Sequence, residues 1–235
     1  MGHSLSRSLS MIIGLLLISA VSTSQNYSYT LTKDSSSYIS LNGASTVAGA
    51  QSWLNKSFGL HLPFQFNFCG TASDSITIDN NGFINFHSQI NMSLVAFNSY
   101  TANKDTNAAY VSLISEQLEG TAGNHILKIQ FSNLSENNLS AYDYLNYQVW
   151  LYENGNKIEF HIGANAHALQ QNADAAFPVL LGILNRNMDG STTNGYLVTG
   201  AASSPAGVAL PSGEGLQYIS STPSSGIIYR LTPAF

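Results

Sequence analysis

Residues 74–87 read Asp-Ser-Ile-Thr-Ile-Asp-Asn-Asn-Gly-Phe-Ile-Asn-Phe-His, and this stretch decides the fold. Apolar and polar residues alternate on both sides of a glycine turn, the pattern of a β-hairpin with one buried face. With Asn80-Asn81-Gly82 as a three-residue loop, Gly82 takes the left-handed conformation that glycine reaches without steric cost. Ile78 then faces Ile84, Ile76 faces Phe86, and Thr77 faces Asn85 on the opposite side. A slip of one residue would set Ile78 against Asn85 and mix core with solvent.

Working outward, a second hairpin spans 144–163, with Asn154-Gly155 placed as a two-residue type I′ turn. Its register sets Leu151 opposite Ile158, Val149 opposite Phe160 and Tyr147 opposite Ile162. The reverse face carries Gln148, Trp150 and Tyr152 against His161, Glu159 and Lys157. Residues 124–132 alternate in the same way, with Leu127, Ile129 and Phe131 inward. Further strand-like segments are read at 26–32, 37–41, 62–69, 73–79, 83–87, 108–116, 177–184 and 226–232. Ala166 to Ala176 reads as a short surface helix, and the Ser-, Pro-, Ala- and Gly-rich 199–216 as an irregular crossing loop. Many short strands with Gly or Asn breaks predict one all-β domain, an antiparallel β-sandwich of jelly-roll-like character, over residues 25–235.

Residues 1–24 read as a secretory signal peptide. Arg7 supplies the positive start, Met11 to Val21 the apolar centre, and Ser22-Thr23-Ser24 the small-residue cleavage site. The apolar run is well short of the roughly 20 residues of a membrane span. Removing Arg7 takes the formal charge from −5 to −6, which argues against nonspecific nucleic-acid binding. Charged residues are only 9% of the chain, far below the roughly 25% usual in soluble domains. Surface polarity therefore rests on hydroxyl and amide side chains, which suits a secreted or cell-surface sheet protein. A periplasmic location is expected if no outer-membrane export route is used. With Cys69 as the lone cysteine, no intramolecular disulfide can form, and a buried small hydrophobe is its expected role. Asn-x-Ser sequons occur at Asn26, Asn55, Asn91, Asn133 and Asn138.

Five segments carry a resemblance: Leu62–Phe66, Asn81–Phe86, Ile126–Phe131, Tyr147–Glu153 with Ile158–Phe160, and Pro223–Tyr229. In this order they resemble the β-sandwich module at the front of large secreted bacterial surface proteins with type IX secretion tails. The middle part is also similar to nidogen-like extracellular domains. The resemblance implies an exported module and no particular chemistry. The sorting tail of that group is not read in this sequence.

No nucleophile elbow, phosphate loop or zinc spacing occurs. His61, His87, His125 and His167 read as ordinary surface or strand-end residues. Asn185 to Gly190 imitates the start of a calcium loop, yet position one is Asn185 and position twelve Tyr196, where Asp and a bidentate Glu are required. It reads as a plain Asp-Gly turn. Glu153 is placed on the core side at the sheet edge and Glu159 on the outer face, so the two carboxylates would not converge for glycoside hydrolysis. No cofactor is expected.

The candidate site is the outer face of the second hairpin: Trp150, Tyr152, Glu159 and His161. Aromatic faces stack on sugars or partner side chains, while carboxylate and imidazole fix orientation. The same pairs also stabilise a sheet by packing alone. The expected function is a non-catalytic secreted or surface module binding an extracellular glycan or protein. A structural subunit or spacer is the alternative, and a polysaccharide hydrolase the last choice. Cleavage is expected between Ser24 and Gln25. Intact mass of the exported protein checks it, and a mature chain retaining residues 11–21 would overturn it.

Overall fold

Period-two alternation lets one face of a strand enter a core while the other meets water or a covering loop. The computed structural model describes residues 28–49, 53, 56–79, 82–87, 92–97, 101–102, 111–136, 144–166, 179–186, 192–211 and 215–234. Among them lie fifteen strands. The first seven are β1 Tyr29–Ser35, β2 Ser45–Ala48, β3 Ser57–Phe68, β4 Thr71–Asp79, β5 Phe83–Phe86, β6 Met92–Ala96 and β7 Thr101–Ala102. The next four are β8 Leu113–Glu119, β9 Ile126–Glu136, β10 Tyr144–Tyr152 and β11 Ile158–Ala166. The last four are β12 Leu181–Arg186, β13 Thr192–Ala201, β14 Ser204–Leu210 and β15 Ile227–Pro233.

They form two antiparallel sheets packed as a sandwich in a single domain. The front sheet runs β1-β15-β11-β10-β9-β8-β2, with β7 beside β9, and the back sheet runs β14-β13-β12-β6-β5-β4-β3. Sequence neighbours pair as up-and-down runs, while β15 inserts between β1 and β11 from the far end of the chain. Among the described residues no helix is long and apolar enough to cross a membrane.

The core lies between the sheets. The front sheet contributes Tyr147, Val149, Leu151, Ile158, Phe160 and Leu231, and the back sheet Ile76, Ile78, Ile84, Phe86, Leu94 and Ile183, all buried. Both predicted hairpin registers hold. Ile78 pairs with Ile84, Ile76 with Phe86 and Thr77 with Asn85. Leu151 pairs with Ile158, Val149 with Phe160 and Trp150 with Glu159. At the first turn Asn80 and Asn81 fall outside the described residues, while Gly82 has φ +79°. A Cβ there would also stand 2.6 Å from the Ala96 carbonyl oxygen, so backbone conformation and close approach both require glycine.

The second turn differs from expectation. Tyr152 N–H bonds the Lys157 carbonyl, and four residues, Glu153 to Asn156, close the loop. Glu153 is right-handed helical, and the positive φ values fall on Gly155 and Asn156, whereas a type I′ turn needs them on Asn154 and Gly155. The strand register survives because four loop residues, like two, return the same face. Two consecutive positive φ values appear instead at Cys69 and Gly70, between paired Phe68 and Thr71. Cys69 is buried as expected; burial pushes its thiol up to about 12, and Tyr29 Oη lies 3.7 Å from Sγ.

Other expectations are corrected. Residues 37–41 form no strand: the segment crosses the outer face of the front sheet, where Gln148 Nε2 donates to the Ile39 carbonyl (2.8 Å) and Leu41 N–H to Gln130 Oε1 (2.8 Å). The 199–216 loop is largely strand, since β13 and β14 pair from Gly195–Leu210 to Ala201–Ser204. The alternation is hidden because β14 carries small, largely exposed residues, with only Leu210 buried, while β13 is buried at consecutive positions from Gly195 to Thr199. Tyr196 and Val198 enter the core, while Leu197 and Leu210 join a second cluster with Phe83, Val95, Leu216 and Tyr218. Strands β2, β6 and β7 and the first part of β13 are additional to those expected; β6 is buried along its whole length, which removes the period-two signal. Ala166 ends β11 rather than starting a helix, and the rest of the expected helix lies outside the described residues. So do the expected leader, the sequon asparagines other than Asn133, and residues 187–190 of the calcium-like segment, whose Asn185 and Arg186 belong to β12.

Replacing Phe160 by Ala should cost about 3–5 kcal/mol, the usual loss for a large buried aromatic, while Thr77→Ala costs under about 1 kcal/mol. Urea denaturation of both variants checks the assignment of faces, and equal small losses would contradict it.

Candidate functional site

The inward faces of β10 and β11 are committed to the core by Tyr147, Val149, Leu151, Ile158, Phe160 and Ile162. Their other faces must therefore present Gln148, Trp150, Tyr152, Glu159 and His161 on the outside of the front sheet. Antiparallel pairing aligns one continuous row across it: Thr32 on β1, Arg230 on β15, Glu159 on β11, Trp150 on β10, Lys128 on β9 and Gln117 on β8.

The structure brings all four predicted site residues together. Tyr152 Oη donates to Glu159 Oε2 at 2.8 Å, and His161 Nε2 stands 2.8 Å from the same oxygen. Arg230 Nε donates to Glu159 Oε1 at 2.5 Å. His161 stacks on the Trp150 indole, with ring centroids 3.8 Å apart at 19°. From the opposite flanking strand, Lys128 Nζ lies 3.9 Å from the indole centroid and 2.6 Å from Glu119. The indole is thus sandwiched between an imidazole and an ammonium, a stacking and cation–π arrangement. Its Nε1 donates to Gln148 Oε1 at 2.8 Å, and Gln148 Nε2 donates to Gln130 Oε1 at 2.9 Å. That amide pair lies beneath the crossing segment 36–41, whose Tyr38 packs where Gly163 leaves room.

Glu159 is outward-facing yet only 3% exposed, because its neighbours close over it. Burial alone would push its pKa up, but hydrogen bonds from His161, Arg230 and Tyr152 outweigh that and bring it down to about 2. An ionised carboxylate accepts only, so His161 Nε2 carries the proton and donates. The Tyr152 phenol is pushed up, first by burial and then by its hydrogen bond to Glu159 and that carboxylate's charge. Arg230 is raised by the same pairing. A carboxylate held ionised, with both oxygens engaged, is a poor general acid.

Glu153 is not on the core side; it stands at the β10–β11 turn. Its Oε2 accepts the backbone N–H groups of Gly123 (2.8 Å) and His125 (3.0 Å) and lies 2.8 Å from His125 Nδ1. Those backbone bonds lower its pKa. Phe64 stacks parallel to the His125 ring at 6.2 Å. This group ties two turns together and does not converge with Glu159. Among the described residues, no three His, Cys, Asp or Glu side chains gather to hold a metal ion.

Arg230 is the member of the site that sequence reasoning missed. Its strand alternates Tyr229 and Leu231 inward with Arg230 outward, so the face was legible. Its partner, 71 residues earlier, was not. The pairing predicts a pH dependence. Glu159 has a lower pKa folded than unfolded, so the unfolded chain binds more protons in the acid range and stability falls with pH. The contribution is full above about 4.5 and is lost as pH falls towards about 2. Glu159→Gln should cost about 1–3 kcal/mol at neutral pH and flatten this part of the profile. Urea midpoints of both proteins between those pH values check it, and parallel profiles would contradict it.

No curated protein and no solved structure matches the chain. A family model described as NIDO related matches residues 28–233. That span runs from just before β1 to the end of β15 and takes in both sheets and the outer-face cluster. The match covers most of the chain, and the chain belongs to the NIDO-related family.

Proposed function

We propose that this protein is a non-catalytic module, secreted or displayed on the cell surface, that binds an extracellular glycan or protein through the outer face of its front sheet. The family supports an extracellular-type binding or structural module. The observation that carries the binding reading is the convergence of Trp150, Tyr152, Glu159 and His161 into one cluster, in which Tyr152 and His161 hydrogen-bond Glu159 and His161 stacks on Trp150. Burial of the inner strand faces sets these side chains outside but does not by itself require the hydrogen bonds and stacking between them. Side chains held in fixed rotamers lose little entropy when a partner docks. Beside the cluster the crossing segment forms a raised border, with the Ile39 side chain 73% exposed. A partner lying on the row would meet aromatic edges and cations on the floor and an apolar side chain at the rim.

A periplasmic location, if no outer-membrane export route is used, belongs to the same proposal. So does the reading that the module performs no hydrolysis, which is supported by the engaged state of Glu159.

The alternative, a structural subunit or spacer, is favoured by one observation: both faces of the Trp150 indole are already occupied by His161 and Lys128. A sugar therefore has the indole edge to meet rather than its face. Trp150→Ala separates the readings. The residue lies outside the core, so the substitution removes about 1–2 kcal/mol of stacking and cation–π energy and leaves the fold intact. On a glycan array and in pull-downs with extracellular proteins, the wild type should bind and the variant should not. A variant that unfolds, or a binding profile that Trp150→Ala does not change, would favour the structural reading.

A further inference from the structure

We infer that the Arg230 end of this face is an anion site that takes the carboxylate groups of an acidic polysaccharide; this rests on the outer face being the binding surface. Arg230 uses only Nε on Glu159. Its two terminal nitrogens have no protein partner among the described residues, and the side chain is 32% exposed. The guanidinium is thus held by its inner edge while its outer donors meet solvent. Such a planar pair of donors matches a carboxylate bidentately.

The surroundings add charge and hydroxyls in register. Lys157 Nζ sits 4.5 Å from the centroid of the Tyr152 ring and has no carboxylate partner among the described residues. Pairing of Ile158 with Leu231 and Glu159 with Arg230 places Lys157 one step further along, level with Thr232. On β1, Thr32 pairs with Arg230 and Thr30 with Thr232, and both β1 threonines are exposed. Two cations therefore stand on one patch of three threonine hydroxyls.

The local anions do not cancel this patch. Both Glu159 oxygens are engaged by His161, Tyr152 and Arg230. Glu119, four strands from Arg230, is paired with Lys128. Asp34 lies one row away, opposite Ile228; its Oδ1 accepts the Ser35 N–H at 2.7 Å, and its charge reaches Arg230 and offsets part of the patch without pairing with the guanidinium.

A polysaccharide fits better than an acidic peptide. Within the front sheet, β15 and β11 have strands on both sides, so their backbone donors and acceptors are largely consumed by the ladders. A peptide would find few main-chain partners there, whereas sugar hydroxyls match threonine hydroxyls and the carboxylate matches the guanidinium. The net charge of the whole chain, −5, opposes nonspecific attraction of a polyanion, so binding would report a local site.

The test measures binding of the full chain to polygalacturonate, to its methyl ester (which is neutral), and to poly-L-glutamate. Polygalacturonate should bind, with the ester at least about tenfold weaker and the affinity falling as salt rises. Arg230→Lys keeps the charge and loses the fork, and Lys157→Gln leaves the three donors to Glu159 in place. Each should weaken polygalacturonate binding about tenfold or more, the usual range for a charge-assisted hydrogen bond. No binding to polygalacturonate, equal binding to its ester, or an unchanged affinity in Lys157→Gln would overturn the site. Equal binding of poly-L-glutamate would overturn the polysaccharide class in favour of an acidic protein. A neutral glycan or a protein that binds the wild type and is lost with Trp150→Ala would overturn this inference while leaving the proposed function standing.

Discussion

Burial of one face of β10 and β11 is the constraint on which the rest depends. Tyr147, Val149 and Leu151 pack from one strand, and Ile158, Phe160 and Ile162 from its neighbour, against the back sheet. Because strand side chains alternate, this assignment leaves no freedom on the reverse. Trp150, Tyr152, Glu159 and His161 are placed outside by the same event that places Val149 and Phe160 inside. Slipping β11 by one residue would bury Glu159 in an apolar interior and expose Phe160, an error of many kcal/mol.

A charged residue set on a sheet face by its register still has to be accommodated there. Glu159 is so closely covered that its charge would be costly without donors. Three side chains supply them, from β10, from β11 itself and from β15. The carboxylate therefore links the second hairpin to the last strand of the chain. The indole does the corresponding work on the other side, joining β11 through His161 and β9 through Lys128. On the proposed reading, the groups that stabilise this face are the ones a partner would meet, and their preorganisation would limit the entropy of binding.

The crossing segment 36–41 divides the face. It shields Gln148 and Gln130, whose amides are satisfied by each other and by its backbone. Buried polar groups need such partners, and a loop with free backbone groups provides them where a third sheet would not. Beyond its border the Arg230–Glu159–Trp150–Lys128 row is left without a covering segment among the described residues. On the back sheet the corresponding region is closed by apolar contacts with Leu216 and Tyr218, so the two outer faces of the sandwich are unlike.

The all-β class, both hairpin registers and the sidedness of Ile78, Phe86, Val149, Phe160, Trp150 and Glu159 could be read from the amino-acid order alone. Alternation and turn spacing are local properties, carried within about twenty residues of chain. β13, β14 and β6 escaped that reading because they are covered on both faces or carry small residues, and the periodic signal then vanishes. The conformation of the Glu153–Asn156 loop escaped it too, since two turns of different length return the same register. Only the tertiary structure set β15 beside β11 and so brought Arg230 to Glu159 across 71 residues. Which strand lies next to which is decided by closing the whole core at once, and no local stretch of sequence contains that information.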